Sequence, residues 1–353
     1  MEDLKERPNT VLNSRDQQRN AFIDQSPWAN WSIEALQADA SFRRYFRLAG
    51  ENETVLLMDA PPATEDLAAF ICIAEYLRAK GLRSPRILQK DLDHGFAIIE
   101  DFGHSTYTKL LDKGHAAEPL YTLAIDSLIA LHQGYAVGEI DLPHYHDGFY
   151  DDEAALFVDW YMPARLGRRL SEEARREFLD IFSSLVHGVD QKHECVVLRD
   201  YHVDNLMLVD GAEGINSCGQ LDFQDALIGS RAYDIVSLLE DARRDVCPEM
   251  TARLLARFLA CQPEIDGEQF KRDYEVLGAH RHAKVIGIFV RLCVRDNKAH
   301  YLNYLPHVQG LFARSLEHES LAPLRAWMEQ HHPGRVDEPL VFDADKLKEL
   351  LLP

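Results

Sequence analysis

The amino-acid sequence predicts an α+β fold of two lobes, a small lobe built on an antiparallel sheet and a larger, mainly helical lobe. Between residues 43 and 103 the hydrophobic pattern reads strand, strand, helix, strand, strand, with polar turns joining the paired strands. After Gly103 the apolar side chains recur at helical spacing. Strands joined by hairpins lie antiparallel, which excludes a doubly wound parallel sheet. A chain of 353 residues is long enough for two lobes with a cleft between them.

Each element of the small lobe has its own signal. Strands at 43–48 and 54–58 flank a Gly-Glu-Asn turn, and strands at 87–88 and 96–99 flank a second polar turn. Between the hairpins, residues 64–80 carry apolar side chains at helical spacing, and a glycine follows as a helix terminator.

In the large lobe, amphipathic periodicity predicts helices at about 117–134, 151–166, 171–190, 230–243, 249–261 and 267–294. Short apolar runs predict strands at 195–198, 206–209 and 220–223. We assign residues 21–103 to the small lobe, which ends in a hinge, and residues 104–353 to the large lobe. Residues 1–20 contain few apolar side chains and are expected to be poorly ordered.

The composition limits the class of protein. A net charge of −20 argues against a nucleic-acid partner, because phosphate backbones require a basic surface. The six cysteines form no CxxC pair, which indicates reduced thiols rather than a disulfide framework or a zinc site. The polar N-terminus lacks the apolar run of a secretory signal or membrane anchor. We therefore expect a cytoplasmic monomer that acts on a small molecule and binds neither membranes nor nucleic acid.

Two segments carry the chemistry: VLRDYHVDNLML at 197–208 and LDFQD at 221–225. Asp200 and Asn205 have the D-x-x-x-x-N spacing of a kinase catalytic loop, and Asp222 follows the next apolar strand. Aspartate and asparagine are common in loops, so this spacing alone arises by chance. The arginine before Asp200 and the apolar strands on both sides make the functional interpretation the stronger one.

Phosphoryl transfer explains why these residue types occur together. The acceptor hydroxyl must lose a proton to a carboxylate, and Asp200 suits that task. The charge of a nucleotide triphosphate must be offset by Mg²⁺ held on oxygen ligands, for which Asn205 and Asp222 are suited. The sequence therefore predicts an ATP- and Mg²⁺-dependent phosphotransferase.

The triplet Asp101-Phe102-Gly103 spells the kinase magnesium motif, but it precedes the catalytic loop, and the metal-binding aspartate must follow it. We interpret residues 98–103 as the hinge between the lobes, where Glu100 and Phe102 would contact adenine. The alternative is an ordinary turn at the end of a strand.

The nucleotide site departs from the usual kinase pattern in two ways. Met58 stands where the phosphate-binding lysine is expected, so Arg43 and Arg44 are the candidate replacements, with plain surface charges as the alternative. No glycine-rich loop precedes the first hairpin, and Ser41 is the candidate phosphate contact in its place.

The stretch from Leu198 to Leu239 resembles the aminoglycoside phosphotransferase and choline kinase superfamily. This resemblance implies a protein-kinase-like two-lobed fold over most of residues 28–330, with an adenine-binding hinge and an acceptor site in the helical lobe. Further segments are similar to the bacterial anomeric kinases of N-acetylmuramate and N-acetylglucosamine, which recycle peptidoglycan sugars: SFRRYFR at 41–47, MDAPP at 58–62, IEDFG at 99–103, FVDWY at 157–161 and GIFVRL at 287–292. The substrate expectation rests on this resemblance.

Candidate acceptor residues combine acids, aromatics and a cation in the large lobe: Glu153, Trp160, Tyr161, His202, Asp225 and Arg244. A buried aromatic stripe is the alternative for the aromatic members. Asp234 is expected to hold the catalytic loop through backbone amides, and His280, Arg281 and His282 are assigned to the core or surface. Two other functions stay open: a kinase of another hydroxyl compound (aminoglycoside, choline or a homoserine-like metabolite), and a non-catalytic pseudokinase scaffold.

Overall fold

The computed structural model describes residues 14–36, 42–146 and 148–352, and it shows the two-lobed α+β fold that the sequence predicts. The small lobe contains, in chain order, α1 (Ser14–Asp24), β1 (Ser32–Ala35), β2 (Arg44–Ala49), β3 (Thr54–Asp59), α2 (Leu67–Ala79), β4 (Ile87–Asp91) and β5 (Phe96–Glu100). The expectation of poor order for residues 1–20 concerns mainly residues outside the described ranges. Residues 14–20 lie in α1.

The strands of the small lobe form an antiparallel sheet in the order β1-β2-β3-β5-β4. Alternate side chains of a strand point to opposite faces, so each face has its own core. On one face Phe46, Leu57 and Ile98 pack with Phe22 of α1. On the other face Met58 and its neighbours pack against α2 and the main core. The sequence pattern gave the two hairpins, whereas α1 and β1 were not predicted.

The large lobe is built mainly of helices, and short strands carry the loops between them. Its elements are α3 (Tyr107–Asp112), α4 (Ala117–Gly134), α5 (Phe149–Leu156), α6 (Met162–Leu166), α7 (Glu172–His187), β6 (Cys195–Val197), β7 (Leu206–Leu208), β8 (Cys218–Gln220), β9 (Leu227–Gly229), α8 (Ala232–Leu239), α9 (Pro248–Ala260), α10 (Gly267–Asp296), α11 (Leu305–Ser315), α12 (Ala322–His331) and α13 (Ala344–Leu351). The predicted helix at 151–166 is two helices, because a π-helical turn at Phe157–Tyr161 separates α5 from α6.

Helix α10 runs through the middle of the large lobe and packs against α5, α8 and α11. Gly287 permits its close approach to α5, since a Cβ atom there would lie 2.3 Å from the carbonyl oxygen of Leu156. None of the helices in the described ranges is both long and apolar enough to span a bilayer. All six cysteines are unpaired.

Two small antiparallel pairs, β6 with β9 and β7 with β8, carry the loops of the site. One strand of the β7–β8 hairpin is bonded to the segment that follows the hinge, and the other is bonded to the small lobe between α2 and β4. The N–H of Leu208 donates to the carbonyl of Ser105 at 2.9 Å, and the N–H of Gln220 donates to the carbonyl of Arg83 at 2.7 Å. The hairpin therefore lies at the boundary between the lobes.

Candidate active site

The loop after β6 carries Asp200, and α8 holds its backbone. Arg199 has a φ of 69°, a left-handed conformation that is uncommon for a residue other than glycine. The buried carboxylate of Asp234, in the first turn of α8, accepts hydrogen bonds from the N–H groups of Leu198 at 2.7 Å and Arg199 at 2.9 Å. These bonds confirm the structural role predicted for Asp234. They fix the turn that presents Asp200, whose side chain is 46% exposed.

Asn205 and Asp222 meet beside this loop. The Nδ2 of Asn205 donates to the carbonyl oxygen of Asp200 at 3.0 Å and lies 3.5 Å from Oδ2 of Asp222. The β7–β8 hairpin explains the meeting, because Asn205 precedes β7, Asp222 lies just beyond β8, and the N–H of Leu221 donates to the carbonyl of Asn205 at 2.9 Å. The structure thus brings the predicted base and the predicted metal ligands to one place.

The donor set suits a hard divalent cation. The amide nitrogen of Asn205 is bonded to the loop, which leaves its amide oxygen as the candidate ligand. The side chain of Asp222 is 41% exposed and adds a carboxylate. Magnesium prefers oxygen ligands and keeps several waters, so one amide and one carboxylate are an adequate protein contribution. These residues fit Mg²⁺.

Arg43 connects the small lobe to this pair of residues. Its Nη2 donates to Oδ1 of Asp222 at 2.6 Å, its Nη1 donates to Oε1 of Gln224, and its Nε lies 3.3 Å from Oε2 of Glu65. Met58, at the position expected for lysine, is fully buried in the core. A guanidinium therefore lies beside the candidate metal ligands where a kinase lysine is absent.

Buried charges from α5 and α10 lie behind Asp200. Glu153 accepts hydrogen bonds from Nζ of Lys284 at 2.8 Å and from Arg199. Nη1 of Arg281 lies 3.7 Å from Oδ1 of Asp200. Partial removal of Asp200 from water favours its protonated form, but the positive charges of Lys284 and Arg281 outweigh this effect and hold the pKa of the carboxyl below its ordinary value. Asp200 is therefore an ionised carboxylate at neutral pH.

A cleft of about 330 Å³ separates the lobes and ends at Asn205 and Asp222. Its walls come from β2, β3, the hinge after β5 and the β7–β8 hairpin. Phe102 of the hinge packs with Met207 and Val209 and forms an apolar wall. An apolar cleft that ends at polar groups has the shape required by a nucleotide, whose base is flat and whose phosphates are charged.

Of the residues predicted to bind the nucleotide, some line the cleft and one points away from it. Glu100 and Phe102 line the cleft, and Glu100 accepts a hydrogen bond from Arg83 at 2.6 Å. Arg44 lies on the opposite face of β2 from Arg43, because neighbouring side chains of a strand alternate. Its Nη2 donates to Oδ2 of the fully buried Asp59 at 2.5 Å, so the structure does not bring it to the cleft. Ser41 lies outside the described residues.

Two of the residues predicted for the acceptor lie in the catalytic region. His202 follows Asp200 in the loop, and its N–H donates to the carbonyl of Asp200 at 3.1 Å. Asp225 is exposed and accepts a hydrogen bond from Gln224, which also donates to Asp222. Both residues therefore remain candidates for acceptor contacts.

The other predicted acceptor residues are engaged elsewhere. Glu153 is buried in the ion pairs with Lys284 and Arg199, so its carboxylate is occupied by protein cations. Tyr161 is fully buried, and its hydroxyl is bonded inside the core. Trp160 is half-buried and packs against the core, and Arg244 pairs with an aspartate of α3. Helical spacing predicted an aromatic face correctly but did not show which way that face points.

From the sequence Arg281 was assigned to the core or surface and Lys284 was not singled out, so the position of both residues of α10 beside Asp200 was not predicted. Both are buried, at 4% and 6% exposure, and both act on the electrostatics of Asp200. They come from a helix that begins at Gly267, far from the catalytic loop in the chain. No local motif links them to that loop. A basic pair inside an otherwise apolar helical stretch was the one available sign that this helix faces a charged site.

Comparison with known proteins places the chain in a family. Residues 32–272 match the model of the phosphotransferase enzyme family. The N-acetylmuramate/N-acetylglucosamine kinase of Pseudomonas aeruginosa is 37% identical, covering 83% of this chain and 87% of that protein. The same-named kinase of Caulobacter vibrioides is 31% identical, covering 92% of this chain and 98% of that protein.

A choline/ethanolamine kinase family protein from Mesorhizobium loti has a similar structure, with a TM-score of 0.59 at 13% identity over 90% of this chain and 99% of that chain. At this identity the likeness shows the fold, which confirms the protein-kinase-like architecture. The family match covers most of the chain, and two relatives exceed 30% identity over most of both sequences. The chain therefore belongs to the phosphotransferase enzyme family.

Proposed function

We propose that this protein transfers the terminal phosphate of ATP to the anomeric hydroxyl of N-acetylmuramate, of N-acetylglucosamine, or of both, in the recycling of cell-wall sugars. The observation that carries the proposal is that Asn205 and Asp222 lie together at the end of the cleft between the lobes, with Asn205 bonded to the backbone carbonyl of Asp200. The acceptor is suggested by relatives named for these two sugars, which are 31% to 37% identical to this chain.

Asp200 acts on the acceptor hydroxyl. Its side chain is partly exposed, and the cations behind it keep it ionised, so it can accept a hydrogen bond from the hydroxyl and receive its proton. Its lowered pKa makes it a weak base, which suits a loose transition state in which the proton leaves late. The main contribution of Asp200 is then to orient the attacking oxygen toward the phosphate.

The phosphates of ATP would bind on the side of the site away from the acceptor. Asn205 and Asp222 would hold Mg²⁺, which offsets the negative charge of the triphosphate. Arg43 is bonded to Asp222 and can turn its guanidinium toward the phosphate oxygens, since these offer the same bidentate geometry as a carboxylate. The hinge at Glu100 and Phe102 would receive the adenine. The protein would act in the cytoplasm, where ATP is available, and as a monomer.

The charge around Asp200 favours this acceptor class over a cationic aminoglycoside. The charged groups behind the base are three cations (Arg199, Arg281 and Lys284) and two carboxylates (Glu153 and Asp234). Such an environment repels an amine and suits a neutral or anionic sugar. A scaffold without catalysis fits poorly, because the complete set of base and metal ligands is present beside a guanidinium.

The test is an acceptor panel with purified protein and Mg²⁺–ATP. N-acetylmuramate, N-acetylglucosamine, kanamycin and choline are offered separately, and the product is examined by phosphorus–proton NMR. The expected result is phosphate coupled to the anomeric proton of an amino sugar. Transfer to kanamycin or choline alone would support another family activity, and ATP binding without turnover on any compound would favour a scaffold.

A further inference from the structure

Arg281 has an incomplete set of hydrogen bonds beside the carboxylate of Asp200. It belongs to α10, is 4% exposed, and stacks its guanidinium over the ring of Tyr233 at 5.9 Å from the centroid. Its Nη1 is buried and has no hydrogen-bond partner in the described structure. Its carboxylate neighbour, Asp200, is 3.7 Å away, which is too far for a hydrogen bond.

The neighbouring cations differ from Arg281 in this respect. Lys284 donates to Glu153 and to the hydroxyl of Tyr233, and Arg199 donates to Glu153 and to the carbonyl of Asp225. Their charges are satisfied within the protein. A buried charged donor without a hydrogen-bond partner destabilises the protein. A ligand atom that accepts a hydrogen bond from this donor removes that cost, so the contact contributes more to binding free energy than a contact with a solvated surface arginine.

The separation of Arg281 and Asp200 matches the span of one oxygen atom bonded to both, and because Nη1 is fully buried in this structure the guanidinium must shift to admit that oxygen. An oxygen at about 2.7 Å from a carboxylate and about 2.9 Å from a guanidinium nitrogen has ordinary hydrogen bonds to each. These two lengths are compatible with the 3.7 Å separation of Oδ1 and Nη1. An oxygen there donates to Asp200 and accepts from Arg281.

We propose that Arg281 is an acceptor-binding residue, whose Nη1 donates a hydrogen bond to the acceptor oxygen held by Asp200 or to the oxygen next to it on the same sugar. This inference rests on the proposed function and adds a residue to it. On a sugar, an anomeric hydroxyl has the ring oxygen attached to the same carbon, so two acceptors of hydrogen bonds lie within reach of one guanidinium. A bidentate donor suits such a pair.

Arg281 has a second effect at the site, which the same variant can separate from a sugar contact. Arg281 also lowers the pKa of Asp200, so its removal would affect the base even if no sugar touched it. If Arg281→Ala lowers activity only by altering Asp200, every reaction at the site slows equally, including the hydrolysis of ATP by water. Loss of a sugar contact reduces transfer to the sugar alone.

The experiment measures both reactions in Arg281→Ala and in a matched control, Arg272→Ala, which removes an exposed arginine from the same helix. We expect kcat/KM for the amino sugar to fall about 10- to 100-fold in Arg281→Ala. Hydrolysis of ATP without sugar should fall by a smaller factor than transfer, because it loses only the effect of Arg281 on Asp200. The KM for ATP should be unchanged, and guanidinium ion should restore part of the transfer. The control should match the wild type.

Unchanged transfer to the sugar, or an equal fall of transfer and hydrolysis, would overturn the inference. If Arg281→Ala does not fold, Arg281→Gln is used instead, because it keeps most of the side-chain volume without the charge. Sugar transfer and ATP hydrolysis are then compared in that variant in the same way. The proposed function is judged separately on the wild type, before any variant. A wild-type enzyme that phosphorylates no amino sugar would overturn that function and this inference with it.

Discussion

Replacing Glu153 by glutamine tests whether this carboxylate is part of the fold or part of the acceptor site. Its side chain is 7% exposed and pairs with Lys284 at 2.8 Å and with Arg199. Burial raises the pKa of the Glu153 carboxyl, but the charges of Lys284 and Arg199 outweigh it and lower the pKa from 4.5 to about 2. A shift of that size corresponds to about 3 kcal/mol. Removing one partner of a buried ion pair costs a similar ~3–5 kcal/mol.

We therefore expect Glu153→Gln to lower the free energy of unfolding by about 3 kcal/mol at pH 7, measured by urea denaturation. Because the folded pKa lies below the unfolded pKa, this stabilisation is present above pH 4.5 and is lost as the pH falls through about 2. The difference between wild type and variant should shrink accordingly on acidification.

Two controls sharpen this prediction. Glu268→Gln changes an exposed glutamate of α10 whose side chain is 76% accessible, and it should alter stability by less than about 0.5 kcal/mol. Adding Lys284→Met to Glu153→Gln should cost less than the sum of the single changes, since it removes the charge left unpaired. A stable Glu153→Gln enzyme with only a raised KM for the sugar would refute the reasoning, because that result is expected of an acceptor ligand.

Three further predictions concern the metal site, the nucleotide cleft and the helix packing. Asp222→Asn should raise the Mg²⁺ concentration for half-maximal turnover at least about tenfold, and unaltered Mg²⁺ dependence would argue against its role as a ligand. Gly219→Ala should raise the KM for ATP and leave that for the sugar unchanged, since the new Cβ would lie 2.8 Å from the ring of Phe102 and push it into the cleft. Gly287→Ala should destabilise the protein by about 1–3 kcal/mol or more in urea denaturation, because the Cβ would meet the backbone oxygen of Leu156; wild-type stability would contradict this packing.

The catalytic loop could be predicted from the sequence because its chemistry is local. Asp200 and Asn205 are five positions apart, and Asp222 follows one hairpin later, so strand pairing alone brings them together. The hairpins of the small lobe were also predictable, because short, nearly continuous apolar runs such as those of β3 and β5 are separated by polar turns, as expected of strands with both faces covered. The fold class followed from these local patterns.

The surroundings of the loop depend on tertiary packing and were not predictable in the same way. Glu153 has the sequence context of an exposed helix start, Asp151-Asp152-Glu153, yet α10 covers it with Lys284. Arg43 and Arg44 are adjacent and chemically equal, and only the pleat of β2 decides that Arg43 reaches Asp222. The orientation of each of these side chains depends on which face of its helix or strand another element covers. The residues adjacent in sequence do not determine that face.

The proposed function depends most on Asp200, the carboxylate that orients the acceptor hydroxyl and accepts its proton. Its most direct test is turnover of Asp200→Asn with Mg²⁺–ATP and the amino sugar, together with the Kd for ATP in the same preparation. Since positioned proton transfer contributes about 10²- to 10⁴-fold, we predict a fall in kcat within or beyond that range and a Kd for ATP within about twofold of the wild type. A variant that keeps more than about one tenth of wild-type turnover while folded and bound to ATP would contradict the account.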